Sequence, residues 1–150
     1  MAIRRADFPL PDVDEPLVAG YFAAARCGEV AIPRCDGCGA WCWYPAPTCP
    51  TCGAGAFTWT VTAGRGRLFS WAVVRRAFLP AFAERVPFVT ALVALEEDPA
   101  VRLVSYVVDV APETLVADEP LVATCRELAF PTVPGRSVTV PMFTRAPGAP

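Results

Sequence analysis

The sequence predicts a mainly β protein in which an N-terminal helix and a four-cysteine zinc ribbon precede a five-stranded barrel of the OB type. Three observations lead there: two Cys-x-x-Cys pairs separated by ten residues, one stretch with helical periodicity, and five short β-type runs from about residue 65 onward. At 150 residues, 54% hydrophobic and 19% charged, the chain has ample apolar material for a packed core.

The helix comes first. In "PDVDEPLVAGYFAAARCGEV" Leu17, Val18, Tyr21, Phe22 and Ala25 recur at helical spacing, with Asp14 as N-cap, Pro16 in the first turn and Gly28 as the stop. Such a face either packs on its own domain or is offered to a partner. After the short extended piece "VAIPR" comes the cysteine cluster, and beyond it runs rich in Val, Phe, Trp and Thr. Strands are predicted in "GRGRLFSWAVVRR", "VPFVTALVALEE", "VRLVSYVVDV", "PLVATCRELAF" and "SVTVPMF", separated by Pro, Gly and acidic breakers, with "APETLV" as a single helical turn. Five strands in so short a span, with no long helix between them, suit a small closed barrel better than a doubly wound sheet. The expected organisation is a loop and amphipathic helix over 1–30, the ribbon over 31–62, the barrel over 63–145 and a flexible tail over 146–150.

Cys35, Cys38, Cys49 and Cys52 follow the pattern C-x2-C-x10-C-x2-C. Two such pairs make two tight turns whose thiolates converge on one tetrahedral ion, and Gly39 and Gly53 stand just after each pair, where a knuckle needs positive φ. Four cysteines close the coordination sphere, so a structural ion is expected rather than a catalytic one with an open position. Zinc is the expected ion, with rubredoxin-like iron for electron transfer as the rival. Cys27, Cys42 and Cys125 are read as apolar fillers or bystander thiols, because the chain has no histidine to activate them. Between the pairs, Trp41, Trp43, Tyr44, Pro45 and Pro47 are expected to pack the ribbon against the helix or barrel, the alternatives being a partner-facing patch or a nucleic-acid stacking platform.

Charge and composition narrow the function. The formal net charge is −2, and four thiolates around a divalent ion would make it more negative, which argues against a general nucleic-acid binder; a single-stranded nucleic-acid-binding ribbon and OB protein is kept as an alternative. All thirteen basic residues are arginine, so Schiff-base chemistry has no lysine to use. The longest apolar run, "FVTALVAL", falls far short of a membrane span of about 20 residues. The opening "MAIRRADFPLPD" lacks the apolar stretch of a signal peptide, so a cytoplasmic protein without membrane association is expected.

The order of parts, "FAAARCGE", "RCDGCG", "YPAPTCPTCG", "GRGRLFSWAVVRRAF" and "VPFVTALVALEE", resembles the acyl-coenzyme A-associated OB-fold family with an N-terminal rubredoxin-like zinc ribbon. The resemblance runs from about residue 14 to residue 144. It implies structural zinc on the four cysteines and a non-catalytic accessory subunit of a thiolase-like enzyme, including the lipid-transfer-protein type. Such a partner acts on acyl-CoA thioesters as a thiolase, acyltransferase or steroid side-chain retro-aldolase. It also implies a hetero-oligomer built on a partner dimer, with the CoA thioester at the interface. Some relatives carry a fused hot-dog hydratase domain, and nothing in this chain is long enough to be one.

Two places are expected to touch a partner or CoA. Arg75 and Arg76, at the end of "RGRLFSWAVVRR", are placed to meet phosphates or an acidic rim, or are merely the charged end of an exposed strand. The loop "AFLPAFAERVP" carries Phe78, Leu79 and Phe82 at a position where OB-folds bind, either folding inward as a lid or buried by another subunit. Tyr21 and Phe22 on the helix are the third candidate contact.

Overall fold

The computed structural model describes residues 7–149. One helix, α1 (Ala19–Arg26), leads into a two-stranded antiparallel sheet of β1 (Ala31–Cys35) and β2 (Phe57–Val61). The cysteine cluster lies between those two strands. Five further strands, β3 (Arg65–Val74), β4 (Phe88–Leu95), β5 (Arg102–Val107), β6 (Pro120–Ala129) and β7 (Ser137–Arg145), close into a barrel in the order β3-β4-β5-β7-β6. This is the mainly β architecture expected: a helix, a ribbon and a five-stranded OB barrel. No helix is long and apolar enough to cross a membrane among the described residues.

Alternation along the strands builds the core. In β5, Leu103, Ser105 and Val107 point inward and are buried, while Arg102, Val104 and Tyr106 face out. Leu68, Val93, Leu103, Leu121 and Phe143 fill the barrel, and Ile32 and Val30 join the same cluster from the ribbon side. Barrel and ribbon therefore share one core. The closing seam is thin, since β5 and β7 are parallel and meet in the single ladder pair Val107↔Phe143. Ser105 reinforces it by donating its hydroxyl hydrogen to the Pro141 carbonyl at 2.9 Å, and the Val108 N–H donates to the Phe143 carbonyl at 2.8 Å. A bonded hydroxyl is what permits a serine in this interior.

α1 packs on β7, β1 and β2 with Phe22 and Ala25 buried, so its apolar face is turned onto its own fold. Gly20 makes this possible, because a Cβ there would lie 2.3 Å from the Trp59 ring. The C-terminus ends as expected at Gly28: Gly28 N–H donates to the Ala25 carbonyl and Glu29 N–H to the Ala24 carbonyl, the Schellman pattern. The N-terminus differs from expectation. Asp14 is not the cap, and Pro16 precedes the helix instead of opening it. Val18 is the N-cap and makes no side-chain capping bond, while Glu15 closes the turn ahead of the helix, its carboxylate accepting the Leu17 N–H at 2.9 Å and its carbonyl the N–H groups of Val18 and Ala19.

The stretch "APETLV" does contain one 3-10 turn, Pro112–Thr114. In the tail "TRAPGAP", Thr144 and Arg145 are strand, and Ala146 N–H donates to the Pro120 carbonyl at 3.0 Å. Residue 150 lies outside the described residues.

Candidate metal centre and the surfaces around it

The two Cys-x-x-Cys turns are built alike. Gly39 N–H donates to the Cys35 carbonyl and Gly53 N–H to the Cys49 carbonyl, both at 2.8 Å, while Cys35 and Cys49 donate their own N–H groups to Ala40 and Ala54. Both glycines have positive φ, 74° and 78°, as a knuckle requires. The result brings the four sulfurs together within 4.8 Å of one another. Cys35 Sγ lies 3.5 Å from Cys52 Sγ and Cys38 Sγ 3.8 Å from Cys49 Sγ. Thiolates sharing one zinc ion at bond lengths of about 2.3 Å would sit about 3.8 Å apart, so the donor set fits one tetrahedral metal ion. Cys35 and Cys49 are buried, whereas Cys38 and Cys52 are exposed.

The electrostatics favour a thiolate at the buried end. The backbone N–H groups of Cys52 and Thr51 hold the Cys49 thiol below its ordinary range. A fifth sulfur completes the ribbon. Cys42 is buried with Cys35 and Cys49, and its Sγ is 4.0 Å from Cys49 Sγ. Burial and the neighbouring cysteines push its thiol up to about 11. Of the two roles expected for it, apolar filler or bystander thiol, its burial in the ribbon cluster fits the first.

The aromatics of the hairpin divide. Trp41 and Trp43 pack against the shared core, Trp43 also stacking on Tyr21 at 5.3 Å, while Tyr44 is exposed. The Arg34 guanidinium lies over the Trp41 ring.

A second feature is an apolar groove of 540 Å³ on the outer face of β4 and β5. Its walls include Tyr21, Phe22, Phe82, Phe88, Val104 and Tyr106, and no charged residue lines it. Burial raises the Tyr21 and Tyr106 phenols above their ordinary range, with Arg85 opposing the rise at Tyr106. Tyr21, Phe22 and Phe82 thus meet in one place, as groove walls. Sequence analysis missed the remaining wall residues, although the apolar character of both faces of "FVTALVAL" hinted at them.

The β3–β4 loop divides too. Phe82 folds inward onto Phe88 and Phe130, whereas Phe78 is 85% exposed and Leu79 46%. Arg75 pairs with Glu113 at 3.3 Å on the surface, and the Arg76 guanidinium lies over Phe78. None of these loop residues packs in the hydrophobic cluster formed by Cys35, Cys42 and Cys49.

Comparison with known proteins agrees with this geometry. Residues 22–58 match the family model described as ChsH2, rubredoxin-like zinc ribbon domain, and residues 59–125 that described as ChsH2, C-terminal OB-fold domain. A protein of Thermomonospora curvata described as "Probable enoyl-CoA hydratase alpha subunit" is 36% identical over 104 residues, 69% of this chain; the chain spans only 31% of that relative's length. Among solved structures, a chain of the "Ltp2-ChsH2(DUF35) aldolase" superposes with TM-score 0.76 and 31% identity, covering 90% of this chain and 98% of that one. A Sulfolobus solfataricus protein of the DUF35 family, of unknown function, shares the fold at TM-score 0.53 and 12% identity, over 87% and 86% of the two chains. With a ribbon and a barrel that each match their family model, and nearly the whole of a ChsH2-aldolase chain reproduced, this protein belongs to the ChsH2 (DUF35) family of zinc-ribbon and OB-fold proteins.

Proposed function

We propose that this chain is a non-catalytic accessory subunit of a thiolase-like enzyme acting on acyl-CoA thioesters, which it stabilises and whose acyl channel it helps to shape. The observation that carries the reading is the match along 98% of a chain from an aldolase assembly. Its chemistry is consistent with the role. The chain has no histidine or lysine to act as a nitrogen base, and four of its cysteines are gathered in a set that fits one closed ion site. The nucleophile and the acid and base groups then belong to the partner.

In this reading zinc is held by Cys35, Cys38, Cys49 and Cys52 and supports the ribbon, supplying no reactive group. The exposed Phe78 and Leu79, with Arg75 and Arg76 beside them, form the contact to the partner or to CoA phosphates. The uncharged groove walled by Tyr21, Phe22 and Phe82 takes apolar matter, either a partner side chain or the acyl group. The assembly is a hetero-oligomer built on a partner dimer, in the cytoplasm.

Coexpression with a thiolase-like subunit tests this. The two chains should copurify, and the partner's turnover of acyl-CoA should collapse without this chain. Full turnover by the partner alone, or thioester turnover by this chain alone, overturns the proposal.

A further inference from the structure

The ribbon contains one thiol more than a tetrathiolate uses. We propose that Cys42 is a reserve ligand, which takes a place on the metal ion when one of the exposed ligands, Cys38 or Cys52, is lost. The inference rests on the reading of the four cysteines as a metal site.

Three observations carry it. First, the distance is right: Cys42 Sγ lies 4.0 Å from Cys49 Sγ, beside the 3.5 Å and 3.8 Å between the sulfurs of the cluster. Two thiolates on one zinc ion are about 3.8 Å apart, so Cys42 is already an edge length from a ligand that stays in place. Cys42 stands outside the set of four sulfurs that all lie within 4.8 Å of one another, so reaching the ion requires its thiol to swing about Cys49 toward the vacated position.

Second, the backbone carrying Cys42 is anchored. Its N–H donates to the Pro33 carbonyl at 2.8 Å, and the neighbouring Trp41 forms a bridge with Arg34 of β1. The thiol is thus held against the cluster by the same strand that ends in Cys35. Third, exposure is divided unequally. Cys35, Cys42 and Cys49 are buried together, while Cys38 and Cys52 face solvent on the knuckle tips. Reagents that attack thiolates meet the exposed pair first. Loss of either leaves three thiolates, two of them buried, with a fourth sulfur adjacent.

Exchange conserves charge and bonds: the lost ligand's metal–sulfur bond breaks, Cys42 releases its proton to water, and its thiolate forms the replacing bond. No oxidant or reductant is consumed.

Cobalt(II) substitution in the full chain reads the number of bound thiolates from its ligand-to-metal charge-transfer absorption. Wild type and Cys42→Ala should both show four. Cys52→Ser should still show four, and Cys42→Ala/Cys52→Ser should drop to three with at least tenfold weaker cobalt binding than Cys52→Ser. Equal spectra and affinities for the single and double variants overturn the reserve role. A wild-type chain that takes up no cobalt overturns the metal reading itself, and the inference with it. Limited alkylation of the zinc-loaded chain with iodoacetamide avoids dependence on the folding of Cys52→Ser. Chains modified once, at Cys38 or Cys52, should keep their zinc in wild type and release it in Cys42→Ala; release from both overturns the proposal.

Discussion

Glu119 is a buried carboxylate whose partner comes from a distant strand. Arg145 Nε donates to its Oε2 at 2.5 Å, the Val116 N–H donates to its Oε1 at 2.9 Å, and Arg145 Nη2 also reaches the Thr114 carbonyl. One side chain thereby ties the end of β7 to the 3-10 turn before β6. Arg145 holds the Glu119 carboxyl below the usual carboxylate range. Because its folded value is the lower one, its contribution is complete above the ordinary carboxylate pKa and fades as pH falls through the depressed value. Glu119→Gln, which keeps the shape and one acceptor, should cost about 2 kcal/mol in denaturant unfolding at neutral pH. The difference from wild type should shrink below about pH 4. This pair was not legible in the sequence, since nothing local relates position 119 to position 145. The metal cysteines were legible because their partners lie within a few residues and ligand spacing repeats. Asp14 does not cap the helix, because a turn through Pro16, Leu17 and Val18 intervenes and the helix starts at Ala19, beyond the reach of a residue at 14.

Among the elements, the β3–β4 loop shows most directly how one segment serves two ends. Its composition announced something unusual, three large apolar side chains in a loop, but not which would turn in. The structure turns Phe82 into the second hydrophobic cluster, against Phe130 and Phe88, and leaves Phe78 outside. The deciding surface, the outer face of β4 with the β6–β7 loop, is assembled from residues far apart in sequence. Opposite outcomes are expected for the two phenylalanines. Phe82→Ala should lose about 3 kcal/mol of stability in thermal or denaturant unfolding. Phe78→Asp should leave the isolated chain within about 0.5 kcal/mol of wild type, while weakening association with the proposed thiolase-like partner at least tenfold in a titration. α1 resolved in the other direction: its apolar face is consumed internally, and Tyr21 and Phe22 act as walls of a groove.

Over the whole molecule, ribbon and barrel share a core but not a sheet, Val30 and Ile32 reaching into the cluster that Leu68 and Phe143 centre. Their stabilities should separate when the ion is removed, since metal binding is coupled to the folding of its own site. A strong chelator should abolish amide-exchange protection in β1 and β2 while β3 to β7 stay protected, as hydrogen exchange with mass spectrometry would show. The two modules also differ at their borders. The barrel closes on itself, leaving none of its strands at an end, whereas among the described residues β2 has a neighbour on one side only. Its outer edge therefore has no strand partner among the described residues, the kind of row that pairs readily with another extended chain. Stripping the ion should therefore make the chain cling to its own copies, seen as rising light scattering after chelation, because a slackened ribbon leaves that unpaired row unprotected.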